Sequence, residues 1–325
     1  MASQTNVCPF CLGCDRCYRC GGTGTVRTLR SRSRPCGECG GTGKCSLCGG
    51  SGSLVEKPFL GDFPAQRVSE RYSSDAKVYR DLWAPLLLLH GQELLASLPL
   101  STATRVLDVG TGCGTLLAGI QTRAPSALVV GIDRAPGMLA LAPVEVPRAV
   151  MDAAHLGLAS ASIDVAVLAF ILFHTADPQR VLIEVRRVLR SGGAIGTTTW
   201  DGDPRFPAQR AWIEELDSHG AVAAEDVAMM SNHEPVNSPV RMRSLLDRAG
   251  FESVRTWAHR FGHAYSLDEF ITVRTRLGWS KRRFESLDPE AREVLLQDAR
   301  RRLERMSPGD FVDDADIIFA TAVAE

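Results

Sequence analysis

The sequence predicts an α/β fold built on a mostly parallel sheet, preceded by a small cysteine-rich module. Three observations lead to this prediction. Runs of apolar residues alternate with segments of helical periodicity in the larger part of the chain, a glycine-rich turn follows the first of these runs, and all but one of the 10 cysteines lie between Cys8 and Cys48. Alternating strand and helix patterns are typical of parallel sheets. We place the module at residues 1–53, a linker at 54–72 and the α/β domain at 73–325.

Composition narrows the class of protein. The chain has 325 residues, of which 45% are hydrophobic, enough for one sizeable core and a smaller unit. A net charge of -1 gives no chain-wide signal for nucleic acid or for an anionic membrane surface. Neither a secretion signal nor an apolar run long enough to span a bilayer is evident. We therefore expect a cytoplasmic protein with no membrane association, in which paired cysteines are more often metal ligands than disulfides.

The cysteines of the N-terminal module form repeated C-x-x-C pairs. Two thiolates separated by two residues can bind one zinc ion from a single turn, and two such turns complete a tetrahedral site. Eight ligands therefore predict two zinc ions, which would stabilise a segment with too few apolar residues to fold alone. A disulfide knot or an iron–sulfur site fits the spacing less well. The predicted ligands are Cys8, Cys11, Cys17, Cys20, Cys36, Cys39, Cys45 and Cys48, and Cys14 could replace one of them.

Three of the pairs continue into glycine-rich tails, as in Cys36-Gly-Glu-Cys39-Gly-Gly-Thr-Gly43. This repeat resembles the cysteine-rich zinc-binding domain of DnaJ-type chaperones, although the first unit, which begins at Cys8, lacks the full tail. The resemblance implies that the outer pairs share one zinc ion and the inner pairs the other, and that the module can bind extended polypeptide. Recruitment of a peptide or protein partner, a purely structural role and a dimerisation role all stay open.

The charge of the module bears on nucleic-acid binding. Residues 1–53 contain seven Lys or Arg and two acidic residues. The thiolate ligands of two zinc sites would cancel most of this positive charge. We therefore interpret the basic run from Arg27 to Arg34 as a solvated hairpin tip, and we expect no nucleic-acid partner.

The first part of the α/β domain carries a ligand-binding pattern. Residues 73–98 are predicted to be helical from apolar residues at three- and four-residue intervals. A strand, a glycine-rich turn and a helix beginning near Gly114 follow, and small residues in such a turn let the backbone approach a ligand. The next strand ends at Asp133, about twenty residues on, where ribose hydroxyls need a carboxylate. The dinucleotide fingerprint fits less well, because the third glycine comes one place early.

Asp108 precedes Gly110 by two residues and completes the pattern D-x-G-x-G-x-G. With this pattern, the chain from about Tyr79 to Val323 resembles the class I S-adenosylmethionine-dependent methyltransferases. The resemblance implies a Rossmann-like, mostly parallel sheet of seven strands and S-adenosyl-L-methionine as cofactor. It also implies that Asp133 holds the ribose hydroxyls and that Asp152 lies near the adenine amino group. The implied cofactor-binding residues are Asp108, Gly110, Thr111, Gly112, Gly114, Asp133, Arg134, Met138, Asp152, Ala153 and Ala169.

The order of elements after this motif gives the candidate catalytic residue. A buried strand runs out at His174, Asp177-Pro178 begins a helix, and Ser191–Gly193 stops it before a strand from Ala194 to Trp200. This order resembles the small-molecule methyltransferases of the ubiquinone and menaquinone type. We expect His174 beside the transferred methyl group, either as a base or as part of the pocket wall. No Asn/Asp-Pro-Pro-aromatic tetrad follows the strand, which disfavours a nucleobase acceptor.

Insertions at about 201–250 and 262–310 are predicted to be helical lids over the acceptor pocket. Helices are expected after Ser238, after the capping box Ser266-Leu-Asp-Glu269 and after Asp288. Strands are expected near residues 252–257 and 316–323. Aromatic and histidine side chains that could line the pocket are Tyr72, Tyr79, Trp83, Trp200, His259 and His263.

Together these features predict methyl transfer to an oxygen or nitrogen of a natural product or peptide, with the zinc module recruiting the acceptor or a protein partner. Two alternatives stay open: a tRNA or rRNA methyltransferase that grips RNA with the module, and a peptide-binding protein that has lost turnover. The intact residues Asp108, Gly110, Gly112 and Asp133 argue against the second alternative.

Overall fold

The computed structural model describes residues 23, 25–27, 33–35, 42–44, 62–202, 206–222, 233 and 235–325. The chain divides into two compact units, Met1–Phe63 and Pro64–Glu325. In the first unit, the described residues include an antiparallel pair of strands, β1 (Thr25–Arg27) and β2 (Ser33–Pro35). All eight predicted zinc ligands, and Cys14, lie outside the described residues.

Within the described part of the second unit, seven strands form one sheet in the order β5-β4-β3-β6-β7-β11-β8. The five strands from β5 to β7 are parallel, and β11 is antiparallel to both of its neighbours. The predicted mostly parallel sheet of seven strands is confirmed. The strands are β3 (Arg105–Val109), β4 (Leu128–Asp133), β5 (Arg148–Val150), β6 (Ile163–Ala169), β7 (Leu189–Trp200), β8 (Phe251–Arg260) and β11 (Asp316–Ala324), and a separate pair consists of β9 (His263–Ala264) and β10 (Val312–Asp313).

The helices cover both faces of this sheet, which is why a central strand such as β6 is buried along almost its whole length. No helix among the described residues is both long enough and apolar enough to cross a membrane. The helices are α1 (Asp62–Leu82), α2 (Ala84–Ala96), α3 (Leu117–Arg123), α4 (Pro136–Leu139), α5 (Pro178–Val188), α6 (Pro207–Ser218), α7 (Pro239–Arg248), α8 (Leu267–Arg276), α9 (Gly278–Glu285) and α10 (Pro289–Leu303).

The helix boundaries differ from the predictions in three places. Helix α1 begins at Asp62, so that residues 62–72 are helical rather than a linker. The predicted helix over 73–98 is interrupted at Trp83, because Pro85 lacks the N–H that a continuous helix would require. Helix α3 begins at Leu117 rather than near Gly114, whose φ of 79° is not helical.

Four predicted N-caps are confirmed. The side chains of Asp177, Ser238, Ser266 and Asp288 each accept a hydrogen bond from a backbone N–H in the first turn of α5, α7, α8 and α10. The capping box of α8 is complete, because the side chain of Glu269 also accepts from the backbone N–H of Ser266. The stop predicted at Ser191–Gly193 is wrong, since α5 already ends at Val188 and β7 begins at Leu189.

The second unit contains two large groups of buried apolar side chains. One lies between the sheet and its helices. The other, which we call the helical cluster, is formed mainly by α6, α8, α10 and the segment around Phe311. Helix α7 packs on the sheet through Met242, Leu245 and Leu246. The predicted insertion at 201–250 is therefore not a lid as a whole, because the apolar stripe of α7 covers the sheet, whereas α6 and the described residues that flank it join the helical cluster.

Candidate active site

The turn after β3 has a backbone that strongly favours glycine. Gly110 has a φ of 72° and Gly112 a φ of 58°, both in the left-handed region. A Cβ atom on Gly110 would lie 2.1 Å from Cγ2 of Ile171, so a side chain is also excluded for lack of space. The backbone N–H of Gly110 donates to the carbonyl of Ile132 at 2.8 Å. The turn is thereby held against the end of β4.

Asp133, the last residue of β4, joins this turn to the next loop. Its Oδ2 accepts from the N–H of Gly112 at 2.9 Å, and its Oδ1 accepts from the N–H of Ala135 at 2.8 Å. Burial raises the pKa of Asp133 above its ordinary value, and the backbone donors and the charge of Arg134 oppose this rise. A carboxylate offers about four acceptor positions. Asp133 therefore keeps capacity for the hydroxyl groups of a ligand.

Asp108 supports the turn from beneath. It is buried, and it accepts a hydrogen bond from the hydroxyl of Thr111 at 2.7 Å. Burial raises the pKa of Asp108 to about 7; the bond from Thr111 lowers it and the charge of Asp133 raises it further. Gly114 packs against Ala142 and Pro143. These three predicted cofactor residues, Asp108, Thr111 and Gly114, are not on the cavity wall described next.

A cavity opens at the carboxyl ends of β3, β4 and β6, and we call it the glycine-turn cavity. From β3 the chain adds β4 and β5 on one side of the sheet and then crosses to add β6 on the other side of β3. Open α/β sheets bind ligands at the point where the strand order reverses in this way. The other predicted cofactor residues all line this cavity. They are Gly110, Gly112, Asp133, Arg134, Met138, Asp152, Ala153 and Ala169.

At the outer edge of this cavity, Asp152 is already engaged by protein donors. Nη2 of Arg134 donates to its Oδ2 at 2.7 Å, and the N–H of Ala154 donates to its Oδ1 at 2.9 Å. The Arg134 and Asp152 side chains are 31% and 37% exposed, so this ion pair is half open to solvent. Both side chains are fixed in orientation at the edge of the cavity.

Helix α1 covers the glycine-turn cavity. The hydroxyl of Ser69 donates to the carbonyl of Arg134 at 2.7 Å, and the N–H of Gly137 donates to the hydroxyl of Ser73 at 3.1 Å. Val68 and Ser69 line the cavity wall. Neither of these two residues was predicted to belong to the site, because both fall in the predicted linker. The four-residue spacing of Val68 from Tyr72 was the available sequence signal that the helix begins before residue 73.

His174 and Tyr72 form a hydrogen-bonded pair at the inner end of the cavity. The Tyr72 hydroxyl lies 2.8 Å from Nε2 of His174, and the two rings meet edge to face. Burial raises the pKa of the Tyr72 hydroxyl well above its ordinary value. The hydroxyl is therefore protonated at neutral pH, and it can donate to Nε2 in the His174 tautomer in which this nitrogen carries no proton.

A second cavity of about 560 Å³ shares Tyr72, Tyr79 and His174 with the first. We call it the aromatic cavity, because its walls include Trp83, Phe173, Trp200 and Trp279. Four of the side chains predicted to line the acceptor pocket are on the wall of this cavity: Tyr72, Tyr79, Trp83 and Trp200.

Two predicted acceptor-pocket residues are not on the wall of the aromatic cavity. Nδ1 of His259 lies 2.8 Å from Glu93, and Nε2 of His263 lies 2.9 Å from Glu269. Arg274 and Asp313 line this cavity, although neither was predicted to do so. Arg274 carried a detectable signal, since it lies one helical turn after the buried Phe270 on the apolar side of α8.

The geometry fits S-adenosylmethionine. The absence of a side chain at Gly110 lets Ile171 pack on the cavity wall, the half-buried Asp133 has acceptor capacity for ribose hydroxyls, and Met138 supplies an apolar wall. Among the residues that the structure describes, no group of His, Cys, Asp and Glu side chains could hold a metal ion.

Comparison with known proteins agrees with this geometry. Residues 107–196 match a family described as a methyltransferase domain. Over 199 residues the chain is 30% identical to the malonyl-[acyl-carrier protein] O-methyltransferase of Dechloromonas aromatica. This alignment covers 61% of this chain and 71% of that protein. The chain is also 36% identical over 108 residues to the demethylmenaquinone methyltransferase of Thermus thermophilus. That alignment covers 31% of this chain and 49% of that protein.

A third relative is an uncharacterized methyltransferase of Mycobacterium bovis, 36% identical over 119 residues that cover 36% of this chain and 46% of that protein. The chain thus spans less than half of the length of the second and third relatives, and 71% of the first. The aligned part includes the glycine turn and the strands that carry it. The chain belongs to the class I S-adenosylmethionine-dependent methyltransferases.

Proposed function

We propose that this enzyme methylates an oxygen or nitrogen atom of a small-molecule natural product or peptide held in the aromatic cavity. The observation that carries the proposal is the junction of the two cavities at Tyr72, Tyr79 and His174. Pockets for small molecules typically measure roughly 300–1,000 Å³, and a volume of about 560 Å³ lies within that range. The aromatic walls suit an acceptor with an apolar or aromatic body.

S-adenosylmethionine, when bound, supplies a methyl group that is already activated by its sulfonium. The protein therefore has to hold and orient the two reactants and to exclude water. Gly110, Gly112 and Asp133 would hold the cofactor, and α1 would cover it through Ser69 and Ser73. The aromatic walls would exclude water from the junction.

Where the acceptor has to lose a proton, we assign its removal to His174 with the help of Tyr72. In the tautomer with an unprotonated Nε2, the proton of the acceptor passes to the Tyr72 oxygen as the Tyr72 hydroxyl proton passes to His174, so that no tyrosinate is formed. His174 ends as imidazolium and Tyr72 stays neutral, so the protons balance. The name of the Dechloromonas aromatica relative states O-methylation, and this supports oxygen as the acceptor atom here.

The proposal is tested by calorimetric titration with S-adenosylhomocysteine, followed by transfer of labelled methyl groups to a panel of aromatic hydroxyl and amine acceptors. We expect one-to-one binding and product from at least one acceptor. His174→Ala and Tyr72→Phe should keep S-adenosylhomocysteine affinity but lower turnover by about 10²–10⁴-fold, the usual contribution of acid–base catalysis. Absence of binding by folded protein would contradict the proposal, and wild-type turnover of His174→Ala would make His174 only a pocket wall.

We further propose that the cysteine-rich segment binds two zinc ions in a cytoplasmic protein and recruits the acceptor or a protein partner. Support comes from the donor chemistry of the C-x-x-C pairs and their glycine-rich tails. Metal analysis of the full chain should give about two zinc ions per chain. The double change Cys36→Ser with Cys39→Ser should remove about half of this zinc, whereas Cys113→Ser, a buried cysteine of the second unit, should remove none.

A further inference from the structure

Arg274 is an unusual member of the aromatic cavity wall because it is a buried cation. Only 7% of the residue is exposed, and it lies on α8 beside the buried side chains of Phe270 and Val273. A charged side chain is almost never buried to this degree unless it is paired.

Arg274 has no such pairing among the described residues. Its Nε and Nη2 atoms are buried without a hydrogen-bond partner in this part of the chain. Asp313 lies on the same cavity wall, and its charge acts on Arg274, but the two side chains form no ion pair within 4.0 Å. An unpaired buried charge lowers stability, so a protein that keeps one usually uses it.

The guanidinium is held in place by aromatic rings rather than by acids. Its Cζ lies 5.7 Å from the ring centroid of Phe206, 5.7 Å from that of Tyr265 and 5.0 Å from that of Phe270. These cation–π contacts do not satisfy the Nε and Nη2 donors, which have no hydrogen-bond partner among the described residues. Nη1 is not among the buried nitrogens without a partner, which leaves it as the donor for a group in the cavity that Arg274 lines.

Other charged side chains share the described wall of the aromatic cavity with Arg274. Three arginines, Arg71, Arg274 and Arg282, face two acids, Asp75 and Asp313. Asp75 is in addition paired with Lys281, and burial raises the pKa of Asp313. Arg274 is the buried cation of this wall, and a carboxylate is the group that would complement it.

We propose that Arg274 binds a carboxylate group of the methyl acceptor. The acceptor would then be an apolar or aromatic carboxylic acid, with its carboxylate on the part of the aromatic cavity that is not shared with the glycine-turn cavity. A carboxylate in the cavity would accept a charge-assisted hydrogen bond from Nη1. This proposal rests on the proposed function, because it identifies the class of acceptor for the same site.

The test uses matched pairs of aromatic acids and their neutral amides: benzoate, phenylacetate and indole-3-propionate, each with its amide. Each pair is titrated into the full-length protein with and without S-adenosylhomocysteine. We expect at least one acid to bind tenfold or more tightly than its amide. Arg274→Met should abolish this preference, Arg274→Lys should retain part of it, and S-adenosylhomocysteine affinity should not change. Arg276→Gln, an exposed arginine of the same helix, is the matched control and should retain the full preference.

Thermal unfolding separates this role from a structural one. Removal of an unpaired buried charge should leave the melting temperature of Arg274→Met unchanged or raise it by a few degrees, about 2–4 °C for each kcal/mol in a domain of this size. A fall of more than about 5 °C would assign Arg274 to the fold and overturn the proposal. Equal binding of acid and amide in every pair, or no binding of any acid, would also overturn it, and so would tighter binding of phenyl phosphate than of the acids. Failure of the wild-type protein to bind S-adenosylhomocysteine would instead contradict the proposed function.

Discussion

Gly110 is needed for two separable reasons, its left-handed backbone and the space that it leaves. Gly192 shares only the first, since its φ is 77° but no atom of the described residues lies within 4 Å of the position that a Cβ would take there. A left-handed conformation costs about 1–2 kcal/mol for an alanine, and the clash with Ile171 adds to this at Gly110.

Gly110→Ala is therefore expected to lower the free energy of unfolding by more than Gly192→Ala does, as measured by urea denaturation. It should also weaken S-adenosylhomocysteine binding by at least about tenfold, because Ile171 has to move at the cavity wall. Gly192→Ala should bind S-adenosylhomocysteine as the wild type does. Equal losses of stability in the two variants would show that backbone strain alone requires glycine at Gly110.

Asp108 makes the stability of the protein depend on pH. Burial raises its pKa to about 7, whereas the unfolded chain has the ordinary value near 3.9. The folded state thus binds the proton more tightly, so its stability contribution is complete below about pH 4 and is lost as the pH rises through about 7.

Asp108→Asn should remove this dependence and keep an acceptor for the hydroxyl of Thr111. We expect the variant to gain stability relative to the wild type between about pH 5 and pH 8, on the order of 1.4 kcal/mol for each unit of pKa shift. Urea denaturation of both proteins without cofactor, at several pH values, measures the difference. A difference that stays constant with pH would contradict this assignment.

At the scale of single elements, α1 controls how well the glycine-turn cavity is covered. The helix has two hydroxyl contacts with the loop after β4, through Ser69 and Ser73. The start of α1 could not be predicted from the sequence, because a segment rich in Pro, Gly and mixed charge predicts a linker. Packing against the cavity, which local composition does not report, stabilises the helix there.

The double variant Ser69→Ala with Ser73→Ala should weaken S-adenosylhomocysteine binding with little change in melting temperature. Each lost hydrogen bond contributes about 0.5–1.5 kcal/mol, so we expect a loss of affinity of about fivefold or more. Ser74→Ala is the control, because Ser74 is exposed and its hydroxyl donates to the carbonyl of Arg71 within the same helix. Unchanged affinity in the double variant would mean that α1 covers the cavity without contributing to binding.

At the scale of the whole second unit, the sheet carries the glycine-turn cavity, whereas the helical cluster supplies part of the wall of the aromatic cavity. The glycine turn belongs to the sheet, whereas Arg274 and Ser280 are held by the helical cluster. Trp212 is fully buried in that cluster, and its Nε1 donates to the hydroxyl of Ser280 at 2.7 Å. The two groups share partly buried side chains at Trp83 and Leu86.

Trp212→Ala should therefore cost about 3–5 kcal/mol of stability in the helical cluster and reduce methyl transfer while S-adenosylhomocysteine still binds. Leu168 is a fully buried residue of the sheet, and Leu168→Ala should weaken both methyl transfer and S-adenosylhomocysteine binding. Calorimetry and the methyl-transfer assay on each variant distinguish the two outcomes. Loss of S-adenosylhomocysteine binding in Trp212→Ala would show that the two groups unfold as one.

Elements with local signals could be predicted from the amino-acid sequence alone. The glycine turn, the acid that ends β4 and the N-caps at Asp177, Ser238, Ser266 and Asp288 depend on backbone conformation and on hydrogen bonds between near neighbours. The alternation of apolar runs with helical periodicity predicted the parallel sheet, and the glycine turn with Asp133 predicted where the cofactor would bind.

The remaining features required the folded structure, because they depend on which distant segments pack together. Residues separated by 102 positions form the Tyr72–His174 pair, and α7 covers the sheet rather than the aromatic cavity. His259 and His263 are paired with acids away from the cavity wall, whereas Arg274 is on it. Burial and pairing are properties of the folded arrangement, and a periodic pattern shows which face of a helix is buried but not which partner it meets.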